Sequence, residues 1–298
     1  MTYDCIIIGG GPAGLTCAIF LGRYRLRVLL IDSGRPRNYA SRAIHGFLGY
    51  HEIAPGELLA RGRAEALSVG VEIREGTATK IERVGDLFQV TGIGGTPCGR
   101  RVVLAYGLRD TLPDIPNVER YYGAGVYHCP DCDGYEVTGK RVGVIGWGKR
   151  AVGLALKMLQ WAKEVTIFVH GNARDFTEEE TSKLRAHEIA IKDEKVLELA
   201  GDPLKGVVLA SGEHVDLDAI FFTIGTTRSC DLAEQLGCEI VEGTSCLAVN
   251  DFKETTVEGV YAIGDLVPGS QLVITSAADG AIAAIAINRS LLPPSRRV

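Results

Sequence analysis

The chain has 298 residues, 46% of them hydrophobic and 23% charged, with a formal net charge of −5. That length suits two domains with separate cores, and the balance of apolar and charged residues excludes an intrinsically disordered chain. The acidic charge leaves no electrostatic footprint for nucleic acid, and no apolar run nears the ~18 residues that cross a bilayer.

The first element is Asp4-Cys-Ile-Ile-Ile8, a β-branched run suited to a buried parallel strand. Strand-like sequence beginning at Tyr3 leaves no room for a signal peptide, so a cytoplasmic protein is expected. Gly9-Gly-Gly11-Pro12-Ala13-Gly14 follows and runs into a helical pattern from Leu15 to Gly22. Gly9 permits the tight turn, Gly11 lets a pyrophosphate approach the backbone, and Gly14 allows close packing of helix on strand. The helix N-terminus then offers unpaired N–H groups to the phosphates. Val28-Leu-Leu-Ile31 reads as the next strand, and Asp32 ends it where a carboxylate meets an adenosine ribose.

Residues 110–117, with two prolines, and residues 244–250 read as linkers. Between them stands Cys129-Pro-Asp-Cys132-Asp133-Gly134. Two thiols at this spacing can close and open a disulfide, and are redox-active when one sulfur is exposed and acidic. The chain has eight Cys and no secretion signal, a usage that favours catalytic over structural pairing. Cys5 and Cys17 read as core residues, and Cys98, Cys230, Cys238 and Cys246 as structural thiols. His128 adjoins the pair, but no second Cys/His pair has zinc-ligand spacing, so no metal is expected.

A second dinucleotide unit begins at Val142-Gly-Val-Ile145, with the fingerprint Gly146-Trp147-Gly148-Lys149-Arg150-Ala151 and a helix to about Trp161. Near the C-terminus, Val260 to Ile263 is a strand ending in Gly264-Asp265, and Leu272 to Leu292 an Ala-rich helix. The expected fold is therefore α/β, with two Rossmann-like three-layer dinucleotide-binding domains, one inserted in the other.

Taken in order, Gly9–Gly14, Asp32-Ser33-Gly34 with Arg35-Pro-Arg37-Asn38, Ala105-Tyr-Gly107, Cys129–Gly134, Gly146–Ala151 and Gly264-Asp265 resemble a low-molecular-weight thioredoxin reductase over essentially the whole chain. The resemblance implies an FAD domain at 1–112 and 247–298, a nucleotide domain with the Cys pair at 113–246, and a homodimer. It implies that Gly9, Gly11, Pro12, Ala13, Gly14 and Asp32 hold the adenosine and pyrophosphate of FAD. Asp265 would meet the flavin's polyol chain, and His45-Gly46-Phe47-Leu48 would line the ring. Ser33, Arg37, Asn38, Ala105, Gly107, Gly264 and Ile274 complete the implied cofactor contacts. Cys132 would face the flavin, Cys129 would attack the substrate disulfide, and Asp133 would be the acid–base group. The implied substrate is a thioredoxin-like protein or a small disulfide.

The second unit departs from that pattern. NADPH-using members carry an arginine cluster for the 2′-phosphate, where this chain reads Val169-His170-Gly171-Asn172-Ala173-Arg174. A Gly-Asn pair cannot replace planar cations against a phosphate dianion. Trp147 occupies a turn position where small residues are usual, Tyr106 stands where Thr is usual, and Gln271-Leu272 replaces an Arg-Gln pair. Three readings stay open for Gly146–Ala151 and His170: a weak or unusual NAD(P)H site, an empty site with electrons arriving from a ferredoxin-type carrier, or a second FAD. Two alternatives to the reductase also stay open: a dithiol oxidase passing electrons to oxygen, and a flavin redox sensor without turnover.

Overall fold

The computed structural model describes residues 2–296. The chain divides into two compact units, Met1–Tyr39 with Gly46–Arg109 and Thr226–Val298, and Ala40–His45 with Asp110–Gly225.

The first unit opens with β1 (Thr2–Ile8), α1 (Pro12–Arg23), β2 (Val28–Asp32), α2 (Pro55–Ser68), β3 (Glu72–Glu75), β4 (Lys80–Val84), β5 (Leu87–Thr91) and β6 (Cys98–Leu104). The sheet order is β3-β2-β1-β6-β5-β4, and the late strand Val260–Ala262 also pairs with β6. The pairings of β1 with β2 and β6 are parallel, and those of β5 with β4 and β6 antiparallel. Alternation along β1 and β2 explains why both faces are covered. Ile6, Ile8, Leu29 and Ile31 enter one core, while Cys5, Ile7, Val28 and Leu30 enter the other. Register sets Ile8 beside both Ile31 and Leu104, so the segments after three strands emerge at one edge. In open α/β sheets that carboxyl edge is where ligands bind.

Gly14 makes this arrangement possible. A Cβ there would stand 2.0 Å from the Gly9 carbonyl oxygen, so α1 lies on the end of β1 only because that atom is missing. Gly14→Ala is expected to lower stability by about 2 kcal/mol or more, read as a lower urea midpoint with an unchanged slope. The C-terminal helix Val273–Leu291 packs on α1 through its small residues, burying Gly280, Ala283 and Ala284.

The second unit has a five-stranded parallel sheet, in the order Ala190–Lys192, Glu164–Phe168, Arg141–Gly146, Ala219–Thr223 and Val126–Tyr127. Val144, Ile167 and Phe221 face one core, and Ile145, Phe168 and Phe222 the other. A small antiparallel sheet, Val196–Ala200, Gly206–Leu209 and His214–Asp216, completes it. Both units are Rossmann-like, with parallel and mixed sheets.

Two boundaries differ from the sequence expectation. Residues 226–246 pack with the first unit rather than the inserted one, because Leu232, Ala233 and Cys238 enter the core that holds Ile6 and Leu104. Residues 40–45 pack with the second unit, where Ala40 meets the Ile115 and Val126 core. Among the described residues, no helix is long and apolar enough to cross a membrane.

Candidate redox site and dinucleotide cradles

In the first unit, Gly11 caps α1, Pro12 opens the helix, and among the described residues nothing stands within 4 Å of a Gly11 Cβ position. The first-turn N–H groups thus face an open, electropositive helix end. Asp32 ends β2, ion-paired with Arg63 of α2, and its carboxylate lies so close to Gly10 that a Cβ there would sit 2.5 Å from Oδ2. Ala105 follows β6 and approaches Gly14. On the turn Gly264–Leu266, Asp265 accepts from Arg37 Nη1 at 3.0 Å and Ser276 Oγ at 3.3 Å, while Arg37 also donates to Gln271 Oε1 at 2.7 Å. An uncapped helix end, an open glycine and a strand-end carboxylate fit the pyrophosphate and ribose of a dinucleotide. Asn38 and Gly107 are half-buried, whereas Ser33, Gly46, Leu48 and Ile274 are exposed, and Phe47 stacks on Tyr50 at 5.9 Å.

The corresponding turn of the second unit is occupied by its own chain. The Gly148 N–H, at the start of the helix Gly148–Met158, donates to the Arg174 carbonyl at 2.9 Å. Asp175 brings a carboxylate oxygen to 3.6 Å from where a Gly148 Cβ would stand. The Arg174 carbonyl therefore takes one N–H of the helix end that an anion would use, and a carboxylate stands close by. The Arg174 guanidinium is itself bound to Asp193 through two 2.6 Å bonds. His170 is also committed. Its Nδ1 accepts the Val196 N–H at 3.1 Å, its Nε2 is buried, and burial followed by Lys195 pushes its pKa down against the opposing effect of Asp114. A neutral ring held inward is a poor grip for a phosphate. Gly146 and Ala151 pack closely under the turn, Trp147 is half-buried, and Lys149 and Arg150 are exposed.

Cys129 and Cys132 form a disulfide at the short helix Pro130–Asp133, with Cα atoms 5.3 Å apart and both residues half-buried. Proline at the first helical position needs no N–H partner, and the Cys129 carbonyl accepts from Cys132 N at 3.3 Å and Asp133 N at 3.1 Å. Lys157 holds Asp131 at 2.6 Å, and the Trp161 ring would meet a Gly134 Cβ at 2.7 Å, so the motif is seated on the helix Gly148–Met158 and the turn after it. The Asp133 carboxyl is pushed up from 3.8 to about 6, chiefly by burial, with His45 opposing and Glu136 adding to the rise. His45 Nδ1 lies 2.9 Å from the Cys132 carbonyl oxygen. Beside Cys129, Tyr122 Oη is 2.9 Å from His128 Nδ1 and donates to Asp110 at 3.3 Å. A disulfide with a near-neutral acid in the same turn can exchange with thiols and supply the leaving sulfur with a proton.

A family model for pyridine nucleotide-disulphide oxidoreductases matches residues 3–280. The chain belongs to that family. It is 30% identical to a thioredoxin reductase of Bacillus subtilis (strain 168), over 95% of this chain and 92% of that one. Among solved structures, an oxidoreductase from Agrobacterium tumefaciens matches with a TM-score of 0.91 and 35% identity, covering 99% of this chain and 100% of that one. HlmI matches with a TM-score of 0.92 and 38% identity, covering 97% and 92%. As a pyridine nucleotide-disulphide oxidoreductase, the chain is a flavin-dependent disulfide oxidoreductase resembling thioredoxin reductases, and the family implies bound FAD.

The sequence expectation named the family's fingerprints and cysteines but missed the groups that hold them. Arg63, Lys157, Trp161 and the Arg174 carbonyl carry no motif. Only the hydrophobic period of α2 and of the helix Gly148–Met158 hints that Arg63 and Lys157 stand on helices at all.

Proposed function

We propose that the protein exchanges electron pairs between FAD and the thiols of a substrate through Cys129 and Cys132. The carrying observation is one turn that holds both the disulfide and a carboxyl kept near neutrality. FAD, when bound, supplies a two-electron donor or acceptor. Gly9, Gly11, Pro12, Ala13, Gly14 and Asp32 hold its adenosine diphosphate portion, and Asp265 with Arg37 its polyol side. In the exchange, a substrate thiolate attacks Cys129 Sγ, the Cys129–Cys132 bond breaks, and Cys132 leaves as a thiolate that takes the Asp133 proton. A second substrate thiolate displaces Cys129, releasing the substrate disulfide and leaving the pair reduced. The reverse sequence reduces a substrate disulfide. The thioredoxin reductases among its relatives support a thioredoxin-like protein or small disulfide as substrate, a cytoplasmic location and a homodimer.

The self-occupied turn at Gly148 supports a second reading about the other end of the electron path. A turn whose N–H is already bonded, next to a carboxylate, disfavours NAD(P)H and a second FAD alike. The reductase direction then draws on a protein carrier of ferredoxin type. In the opposite direction the enzyme oxidises a substrate dithiol with oxygen as terminal acceptor. Anaerobic absorbance of the purified holoprotein tests this: one flavin per chain, no bleaching by micromolar NADPH, and bleaching by a dithiol are expected. Prompt bleaching by NADPH, or two flavins per chain, would overturn it.

A further inference from the structure

Residues Ala40–His45 lie in the second unit although both flanking stretches belong to the first. Their anchor is a close backbone approach: the Ala40 carbonyl oxygen lies 2.0 Å from where a Gly123 Cβ would stand, and Gly123 has φ +75°. Ile44 is buried. His45 is thus presented from a fixed segment.

A carbonyl oxygen can only accept, so the 2.9 Å contact with Cys132 requires the proton on His45 Nδ1. The same nitrogen is 4.0 Å from Asp133 Oδ1, and Nε2 is 3.6 Å from Glu136 Oε1. A neutral ring with Nδ1 protonated would turn a lone pair toward the Glu136 carboxylate, whereas the imidazolium faces both carboxylates with N–H groups. Arg42, on the His45 segment, and Asp133 both act on the Tyr127 phenol, which burial pushes up, and Asp131 is held by Lys157. His45 therefore stands between Asp133 and Glu136, and its charge opposes the rise of the Asp133 carboxyl.

We infer that His45 is a positioning residue for thiol–disulfide exchange, clamping the Cys132 carbonyl and acting through Asp133 by balancing the charge that Asp133 and Glu136 place beside the disulfide. This rests on the exchange reaction proposed above. The resemblance placed His45 only in the segment lining the flavin ring, and its partner Cys132 stands 87 positions further along the chain.

The test is the rate at which dithiothreitol reduces Cys129–Cys132 in the holoprotein, followed by thiol alkylation and mass spectrometry across pH, alongside the equilibrium position of the pair in glutathione buffers. His45→Gln keeps an N–H for the carbonyl but removes the charge. Losing a cation favours the neutral acid, so the pH above which the rate per dithiothreitol thiolate falls should move up by about one unit. Glu136→Gln should move it down, and the double variant should return close to wild type. Glu136 is the more exposed partner, so its variant reports even if a His45 variant folds poorly. A His45→Gln profile that superimposes on wild type, or one lowered equally at every pH, overturns the inference. A wild-type pair that does not exchange with dithiothreitol at all would instead overturn the proposed function.

Discussion

Replacing Cys132 with Ser is expected to lower turnover at least about a thousandfold, with either a dithiol or a disulfide substrate. Serine nearly preserves the volume of the half-buried side chain and leaves the backbone bonds of the Pro130–Asp133 turn intact, so the loss is chemical rather than structural. Cys129→Ser should lose as much, and the double variant no more, because the two sulfurs act as one device. Cys230→Ser and Cys246→Ser should turn over normally, as neither thiol is part of the pair. The comparison must be made against dithiothreitol-reduced wild type in a thermal melt, which separates loss of the cross-link from loss of the reaction. Full activity in Cys132→Ser would mean that electrons do not travel through this disulfide.

What the sequence made legible was local. The run Cys5–Ile8 with Gly9–Gly14 reads as strand, turn and helix because each requirement, from buried β-branched residues to a missing Cβ at Gly14, lies within a few positions. Asp32 and the Cys129–Cys132 pair were recognisable for the same reason. The groups that tune them were not. Arg63 reaches Asp32 from another helix, Lys157 reaches Asp131 across 26 positions, and His45 reaches Cys132 from a segment that changes units. The missing arginines near His170 left three readings of the second dinucleotide site open. That the Arg174 backbone itself bonds Gly148 depends on the path of a loop, which no residue pattern encodes. Nor does the sequence say which core receives Leu232 and Ala233, because they look the same in either.

Asp133→Asn should make the protein more stable and less active, and the pH dependence of the first effect tests the origin of the second. In the folded chain the carboxyl is pushed up to about 6 from an ordinary 3.8, mainly by burial. Between those values the native state holds a proton that the unfolded chain has released, so stability falls as pH rises through the window. Above it the ionised, desolvated carboxylate costs about 3 kcal/mol at most. Asparagine carries no such charge. The variant's advantage in urea unfolding should therefore be largest at neutral pH and vanish near about pH 4. Thiol–disulfide exchange should slow by about a hundredfold or more, because an amide has no proton to give the departing Cys132 sulfur. An advantage that does not vary with pH would show that burial does not hold the carboxyl up, and unchanged exchange would transfer the acid role to Glu136. A charge held at the expense of stability, next to a disulfide, is what a proton-transfer function requires of this turn.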